Sequence, residues 1–240
     1  MRLTTVADAE AAAARAAEVL ARLVREARAA RGVAHLALAG GNTPRRAYEL
    51  LGPTLEDWND IHLWFGDERC VGPQDADSNY RMVRESLLSQ ARIDESNVHR
   101  IPGELGPEPG CVAYALQLRE IVECDDRALP ILDVALLGLG EDGHTASLFP
   151  GGSALRATGV ICAAVDDAPK PPPERITLTM DVLRTARRCV LLASGASKAD
   201  AVAAVLAGPN PTVPASLLRE DRLEMIVDDA AAPPPPGGHS

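Results

Sequence analysis

The chain has 240 residues, with 24 Lys plus Arg against 34 Asp plus Glu, a formal net charge of −10 at pH 7 and a pI near 5.0. That balance selects against nucleic acid or an anionic membrane as the main partner, and no run approaches the ~20 apolar residues of a membrane span. Five widely spaced cysteines, Cys70, Cys111, Cys124, Cys162 and Cys189, contain no Cys-x-x-Cys pair and read as free or buried thiols, and the lack of a basic start followed by an apolar core points to a cytoplasmic address.

Asp8 to Ala30, rich in Ala, Leu, Arg and Glu with Val19, Leu20, Leu23 and Val24 at helical spacing, predicts a helix. His35–Ala39 predicts a strand ended by Gly40-Gly41, and Pro44 opens a helix over Arg45–Leu51. A second strand follows at Ile61–Phe65, then a helix beginning near Ser78 that carries Tyr80, Val83, Leu87 and Leu88 toward the core. An amphipathic segment spans Val112 to Val122, and Asp125-Asp126-Arg127 with Pro130 turns the chain into an almost continuously apolar strand, Ile131–Leu137. Val160–Val165 is read as another strand, Pro169–Pro173 as a stiff exposed loop interrupted only by Lys170, and Cys189–Ala193 as a buried strand leading through Gly195-Ala-Ser197 into a helix over Lys198–Leu206. Leu223–Val227 is the last strand, and the Pro- and Gly-rich 230–240 is read as a disordered tail. Strands separated by helical segments imply one α/β domain over 1–229, doubly wound around a mainly parallel sheet with helices on both faces.

Chemistry concentrates where apolar runs break into glycines, because ligands bind at the ends of such strands. Leu137-Gly-Leu-Gly-Glu-Asp-Gly-His144 presents Asp142 and His144 together; the histidine either caps a backbone carbonyl or does acid–base work. Gly40-Gly41-Asn42-Thr43-Pro44 leaves backbone N–H groups free at a helix start and lets an anion approach without a Cβ in the way. No Gly-Lys-Ser/Thr follows, so a nucleoside triphosphate is not expected there. Arg69, after Gly66-Asp67-Glu68, offers a guanidinium fork for phosphate or carboxylate, with Asp67 and Glu68 read as holding the loops. Lys198 gains nothing from a helix N-terminal dipole, so a shared bound anion is the reason for its place. Gly138-x-Gly140-x-x-Gly143 also satisfies a dinucleotide fingerprint with Asp166 after the next strand, but Pro150-Gly-Gly152 halts the crossover helix that fingerprint needs. No metal-ligand cluster and no cofactor motif is seen.

Five blocks in order, Ala39–Pro44, Trp64–Arg69 with Ser78-Asn79, Gly138–Gly151, Arg175–Leu178 and Gly195–Lys198, resemble the family of 6-phosphogluconolactonases and glucosamine-6-phosphate deaminases, and cover nearly the whole chain. The resemblance implies a Rossmann-type sheet and hydrolysis of a sugar-phosphate lactone with His144 as base and acid on water and Asp142 orienting it. It also implies that Gly40, Gly41, Asn42, Thr43, Arg69, Arg175 and Lys198 hold the substrate. No metal, cofactor, nucleic acid, membrane or obligate protein partner is implied. Ala39 and Asn42 stand where the family loop carries serines, which leaves more to Thr43 and the backbone. Two rivals remain. The deaminases place a carboxylate five residues after the histidine, where this chain has Phe149; a sugar-phosphate sensor would need a DNA-reading module, which is not evident.

Overall fold

An apolar strand buries both faces only when flanked by neighbours and covered by helices. In the computed structural model, which describes residues 1–233, β1 (Arg2–Val6), β2 (Ala34–Leu38), β3 (Ile61–Phe65), β5 (Val134–Gly138), β8 (Arg188–Ala193) and β9 (Leu223–Asp228) form one sheet. Its order is β1-β9-β8-β5-β2-β3, and every pair is parallel. All five residues of β2 are buried. From β2 the chain steps outward to β3, whereas β5 pairs on the other side of β2 and leads to β8, so the order reverses between β2 and β5. That switch point opens a crevice at the strands' carboxyl ends.

Helix α1 (Ala9–Arg31) packs against β2, β5, β8 and β9 through Ala12, Ala16, Leu20 and Val24. The Asp8 carboxylate accepts from the Ala11 N–H at 2.8 Å at its start, and Gly32 at φ 78° ends it in the left-handed region that glycine tolerates. Helix α2 (Asn42–Thr54) begins directly after Gly41, three residues before the expected Arg45; Pro44 sits inside its first turn, where a missing N–H costs nothing. The helix expected near Ser78 is α3 (Asn79–Val83), continued by a π-turn over Arg84–Leu88. Helix α4 (Pro107–Ile121) also starts earlier than the expected Val112. Within it a Cβ at 110 would stand 2.4 Å from Ile176 Cδ1, so Gly110 serves close helix–strand packing.

A second, three-stranded antiparallel sheet was not anticipated. β4 (Asp67–Arg69), β7 (Arg175–Leu178) and β6 (Cys162–Val165) pair in the order β4-β7-β6, which corrects the reading of 160–165 as part of a helix-strand alternation. β4 is three charged residues with no apolar alternation to betray it, and β7 follows a run of prolines. Gly66 joins the two sheets: its N–H donates to Leu38 O at 2.9 Å and its carbonyl accepts from Leu178 N–H at 2.8 Å. Two short helices complete the described elements, α5 (Met180–Thr185) and α6 (Ala199–Leu206). Among the described residues no helix is long and apolar enough to cross a membrane. Ala231 is fully buried and its N–H donates to Asp228 Oδ1 at 2.9 Å, so the anchored chain runs past the expected boundary at 229; the proline tail from 234 lies outside the described residues.

Away from the crevice, three histidines meet at the amino ends of β2 and β3. The Trp64 Nε1–H donates to His35 Nδ1 at 3.1 Å, and the Gln117 amide donates to His99 Nδ1 at 3.1 Å. His99 therefore carries its proton on Nε2 and gives it to His62 Nδ1 at 2.8 Å, while its ring stacks on Trp64 with centroids 4.0 Å apart. Every imidazole here is used as neutral. Burial, reinforced by the neighbouring His62, pushes His35 down to about 4 and His99 likewise, and burial also lowers His62. Arg31 adds to the depression of His35, whose backbone N–H donates to Asp133. With folded values below the unfolded ~6.5, the unfolded chain takes up protons first, so stability is full above that value and falls as pH drops toward 4. Each histidine contributes a slope of up to about 1.4 kcal/mol per pH unit. Urea unfolding followed by tryptophan fluorescence should show stability declining between pH 6.5 and 4, less steeply in His99→Gln; an unchanged slope would refute the assignment.

Candidate active site

The loops leaving β2 and β5 diverge at the switch point, and each is shaped by a specific contact. Tyr48 of α2 clips the β2 exit: its hydroxyl accepts from the Ala39 N–H and donates to the Ala39 carbonyl, both at 2.8 Å. Gly40 follows because Asn79 fills the space a side chain would need; a Cβ there would lie 2.0 Å from Asn79 Oδ1. Gly41 caps α2 at φ 102° with no side-chain cap, leaving the first-turn N–H groups of Asn42 and Thr43 without helical partners. The Thr43 and Ser194 hydroxyls, 3.2 Å apart, tie this loop to the one leaving β8. In that second loop the Gly195 N–H is held by both oxygens of Asp228 at 3.0 Å, which sets the start of the turn that carries Lys198.

Residues 139–144 form a tight turn rather than a helix. Gly143 donates to the Gly140 carbonyl at 3.0 Å and Gly140 donates to the His144 carbonyl at 2.8 Å. The absence of a helix at Gly143 removes the dinucleotide fingerprint's structural basis. Asp142 Oδ1 accepts twice, from the His144 backbone N–H at 3.1 Å and from the imidazole Nδ1 at 2.5 Å. Burial works against the Asp142 carboxylate, but the backbone N–H and ring of His144 outweigh it and hold its pKa below the ordinary carboxylate value. An ionised acceptor at Nδ1 places that proton on Nδ1 and leaves the Nε2 lone pair as the basic site. The Phe149 ring lies against the imidazole, centroids 4.7 Å apart, and the Arg175 guanidinium carbon stands 5.6 Å from the Phe149 ring centroid.

The small sheet brings the charges. Glu68 is buried and accepts from the N–H groups of Arg69, Asn79 and Tyr80 and from the Ser78 hydroxyl, fixing the start of α3. Burial raises its pKa, and those backbone donors oppose the rise. Asp67 accepts from Ser147 Oγ at 2.6 Å and Asn79 Nδ2 at 3.3 Å. Arg69 and Arg175 are direct cross-strand partners on β4 and β7, and like charges so placed repel unless an anion is shared between them. Burial pushes Arg175 down, with Asp67 opposing and Arg69 adding to the shift. Arg69 Nη1 donates to the Asp77 carbonyl, and its Nε is buried with no hydrogen-bond partner among the described residues. Lys198 Nζ stands 4.0 Å from Glu141 Oε1.

These groups line a cleft of about 320 Å³. Gly40, Gly41, Arg69, His144, Arg175 and Lys198 all face it, as six of the residues singled out from the sequence. Three others do not. Asp142 sits behind His144, Thr43 is turned to Ser194, and Asn42 lines an adjoining hollow with Arg45 and Arg81. Asn79, Phe149 and Lys170 line the cleft although sequence reading did not assign them to it. Lys170 had a signal, as the one charged residue in the proline run; Phe149 and Asn79 had none outside their family blocks. An imidazole oriented by a carboxylate, a backbone loop suited to anions and several cations around one cleft suit acid–base chemistry on a small phosphorylated substrate.

The family model described as glucosamine-6-phosphate isomerases/6-phosphogluconolactonase matches residues 7–227. Among curated proteins, the 6-phosphogluconolactonase of Mycobacterium leprae is 39% identical over 205 residues, 82% of this chain and 83% of that protein. The 6-phosphogluconolactonase of Streptomyces coelicolor is 39% identical over 210 residues, 83% of this chain and 79% of that protein. The crystal structure of 6-phosphogluconolactonase from Thermotoga maritima superposes with a TM-score of 0.85 at 28% identity, covering 95% of this chain and 99% of that one.

Proposed function

Because the chain belongs to the glucosamine-6-phosphate isomerase/6-phosphogluconolactonase family, we propose that it hydrolyses 6-phospho-D-glucono-1,5-lactone to 6-phospho-D-gluconate in the oxidative pentose phosphate pathway, in the cytoplasm. The observation that carries the mechanism is the Asp142–His144 pair at the switch-point cleft. Asp142 holds the Nδ1 proton, so Nε2 takes a proton from water as its oxygen attacks the lactone carbonyl. The resulting imidazolium is stabilised by the Asp142 carboxylate. As the tetrahedral intermediate collapses, the Nε2–H protonates the departing ring oxygen, and no covalent enzyme intermediate is needed. Arg69, Arg175, Lys198 and the backbone of Gly40–Thr43 hold the phosphorylated sugar.

The deaminase reading is disfavoured by Phe149. The residue five positions after the histidine, a carboxylate in the deaminases, is here an aromatic ring packed on the imidazole, with no proton to give or take. Among the described residues no group of three His, Cys, Asp or Glu side chains is placed to hold a metal ion. The test is hydrolysis of freshly generated 6-phosphogluconolactone, followed by proton release and corrected for spontaneous opening. Hydrolysis is expected at the same rate with and without EDTA. Ammonia release from glucosamine 6-phosphate in place of lactone opening would establish the deaminase instead, and loss of activity on chelation would overturn the water-activation scheme.

A further inference from the structure

We propose that Lys170 is a substrate-binding residue, its ammonium joining the cations of Arg69, Arg175 and Lys198 in the cleft and meeting the phosphate of the substrate from a strap that lines it. The assignment rests on the lactonase reading only for the identity of the anion.

Residues 166–174 connect β6 to β7, and the connection is folded back on itself: Ala168 N–H donates to the Pro173 carbonyl at 3.1 Å, and Cys70 N–H to the Glu174 carbonyl at 2.9 Å. Pro169, Pro171, Pro172 and Pro173 restrict the backbone and remove four N–H donors that would otherwise need partners. Arg175 then straps this segment in place. Its Nη2 donates to the Lys170 carbonyl at 2.8 Å and its Nε to the Pro172 carbonyl at 3.1 Å. Two guanidinium nitrogens are thus committed to holding the loop, and Lys170 with Pro171 comes to line the same cleft as His144.

Charge and composition point the same way. The cleft is lined by Arg69, Lys170, Arg175 and Lys198 against the single carboxylate of Asp67, which Ser147 and Asn79 already bind. Lys198 has a carboxylate at 4.0 Å, whereas the Lys170 ammonium has no hydrogen-bond or ion-pair partner among the described residues. Of the chain's 24 Lys and Arg residues only two are lysines, Lys170 and Lys198, and both line this one cleft. Everywhere else the chain uses guanidinium. A compact ammonium with three rotatable donors suits a tetrahedral phosphate approached from above, where a planar fork needs fixed geometry and more room. The stiff strap delivers that charge with little backbone entropy left to lose on binding.

The experiment measures kinetics of Lys170→Ala on 6-phosphogluconolactone and on unphosphorylated gluconolactone, with inorganic phosphate titrated calorimetrically as a direct probe. Because Lys170 is exposed, its thermal midpoint should match the wild type. KM for the phosphorylated lactone should rise roughly tenfold with kcat little changed, the signature of a contact made equally in ground and transition states. The plain lactone should be unaffected, phosphate binding should weaken, and Lys170→Arg should lie between the two. Unchanged KM and phosphate affinity would overturn the proposal, and so would an equal loss on both lactones, which would place the ammonium at the lactone carbonyl instead. A wild-type protein inactive on the lactone would sink the lactonase reading alone, since the phosphate titration would still report on Lys170.

Discussion

Replacing His144 by Gln is expected to lower the catalysed rate of lactone opening by about 10²- to 10⁴-fold, the usual worth of general acid–base catalysis, or roughly 3–5 kcal/mol of barrier. The fold should survive, because the turn is closed by backbone bonds from Gly140 and Gly143 that do not involve the imidazole. Asp142→Asn should cost less. The same atom, Oδ1, accepts both the His144 backbone N–H and the ring Nδ1–H, so the amide oxygen of an asparagine stays where the carboxylate oxygen was and keeps the proton on Nδ1. What is lost is the charge that stabilises the imidazolium. Rates must be corrected for spontaneous hydrolysis, which rises with pH. If His144→Gln retains near wild-type turnover after that correction, another group activates water and the histidine only closes the turn.

Gly140→Ala should be nearly as damaging, for a purely steric reason. Gly140 is not among the glycines with positive φ, so alanine meets no backbone strain there. Its Cβ, however, would stand 2.0 Å from His144 Nδ1, 2.2 Å from Cε1 and 2.6 Å from Asp142 Oδ1. The imidazole is partly exposed and can swing away, so the protein should fold while the Asp142–His144 hydrogen bond is broken. Misplacement by about 1 Å is enough to lose about 10²-fold in rate. Gly72→Ala, where a Cβ meets nothing within 4 Å, is the matched control. Single-turnover rates with circular dichroism would decide: a Gly140→Ala enzyme with normal turnover would mean that the Asp142–His144 geometry is not the one that reacts.

Much of the candidate site is legible in the sequence because it lies where local chemistry changes sharply. An apolar run that stops at Gly-x-Gly must end a strand, and the Asp-Gly-His that follows presents polar groups at that end. Gly40-Gly41 marks a helix start open to an anion for the same local reason. Ile61–Phe65 and the last two parallel strands were recognisable because buried strands are short, apolar and bounded by turn residues. Helix starts were less accurate where a glycine or proline plays a tertiary role, as Gly110 does against Ile176.

What the amino-acid sequence determined by itself, then, was the parallel α/β alternation, the glycine turns and the placing of Asp142 beside His144 in one turn, since each depends on residues within one or two turns of one another. The tertiary structure decided what lies between distant segments. Arg69 and Arg175, more than a hundred residues apart, become neighbours only because a three-residue charged strand pairs antiparallel with a short strand after the prolines, a pairing with no periodicity to announce it. The same pairing turns Arg175 into the anchor of its own loop and brings Lys170 over the cleft. Long-range register follows from which surfaces can be buried together, and no local pattern encodes it.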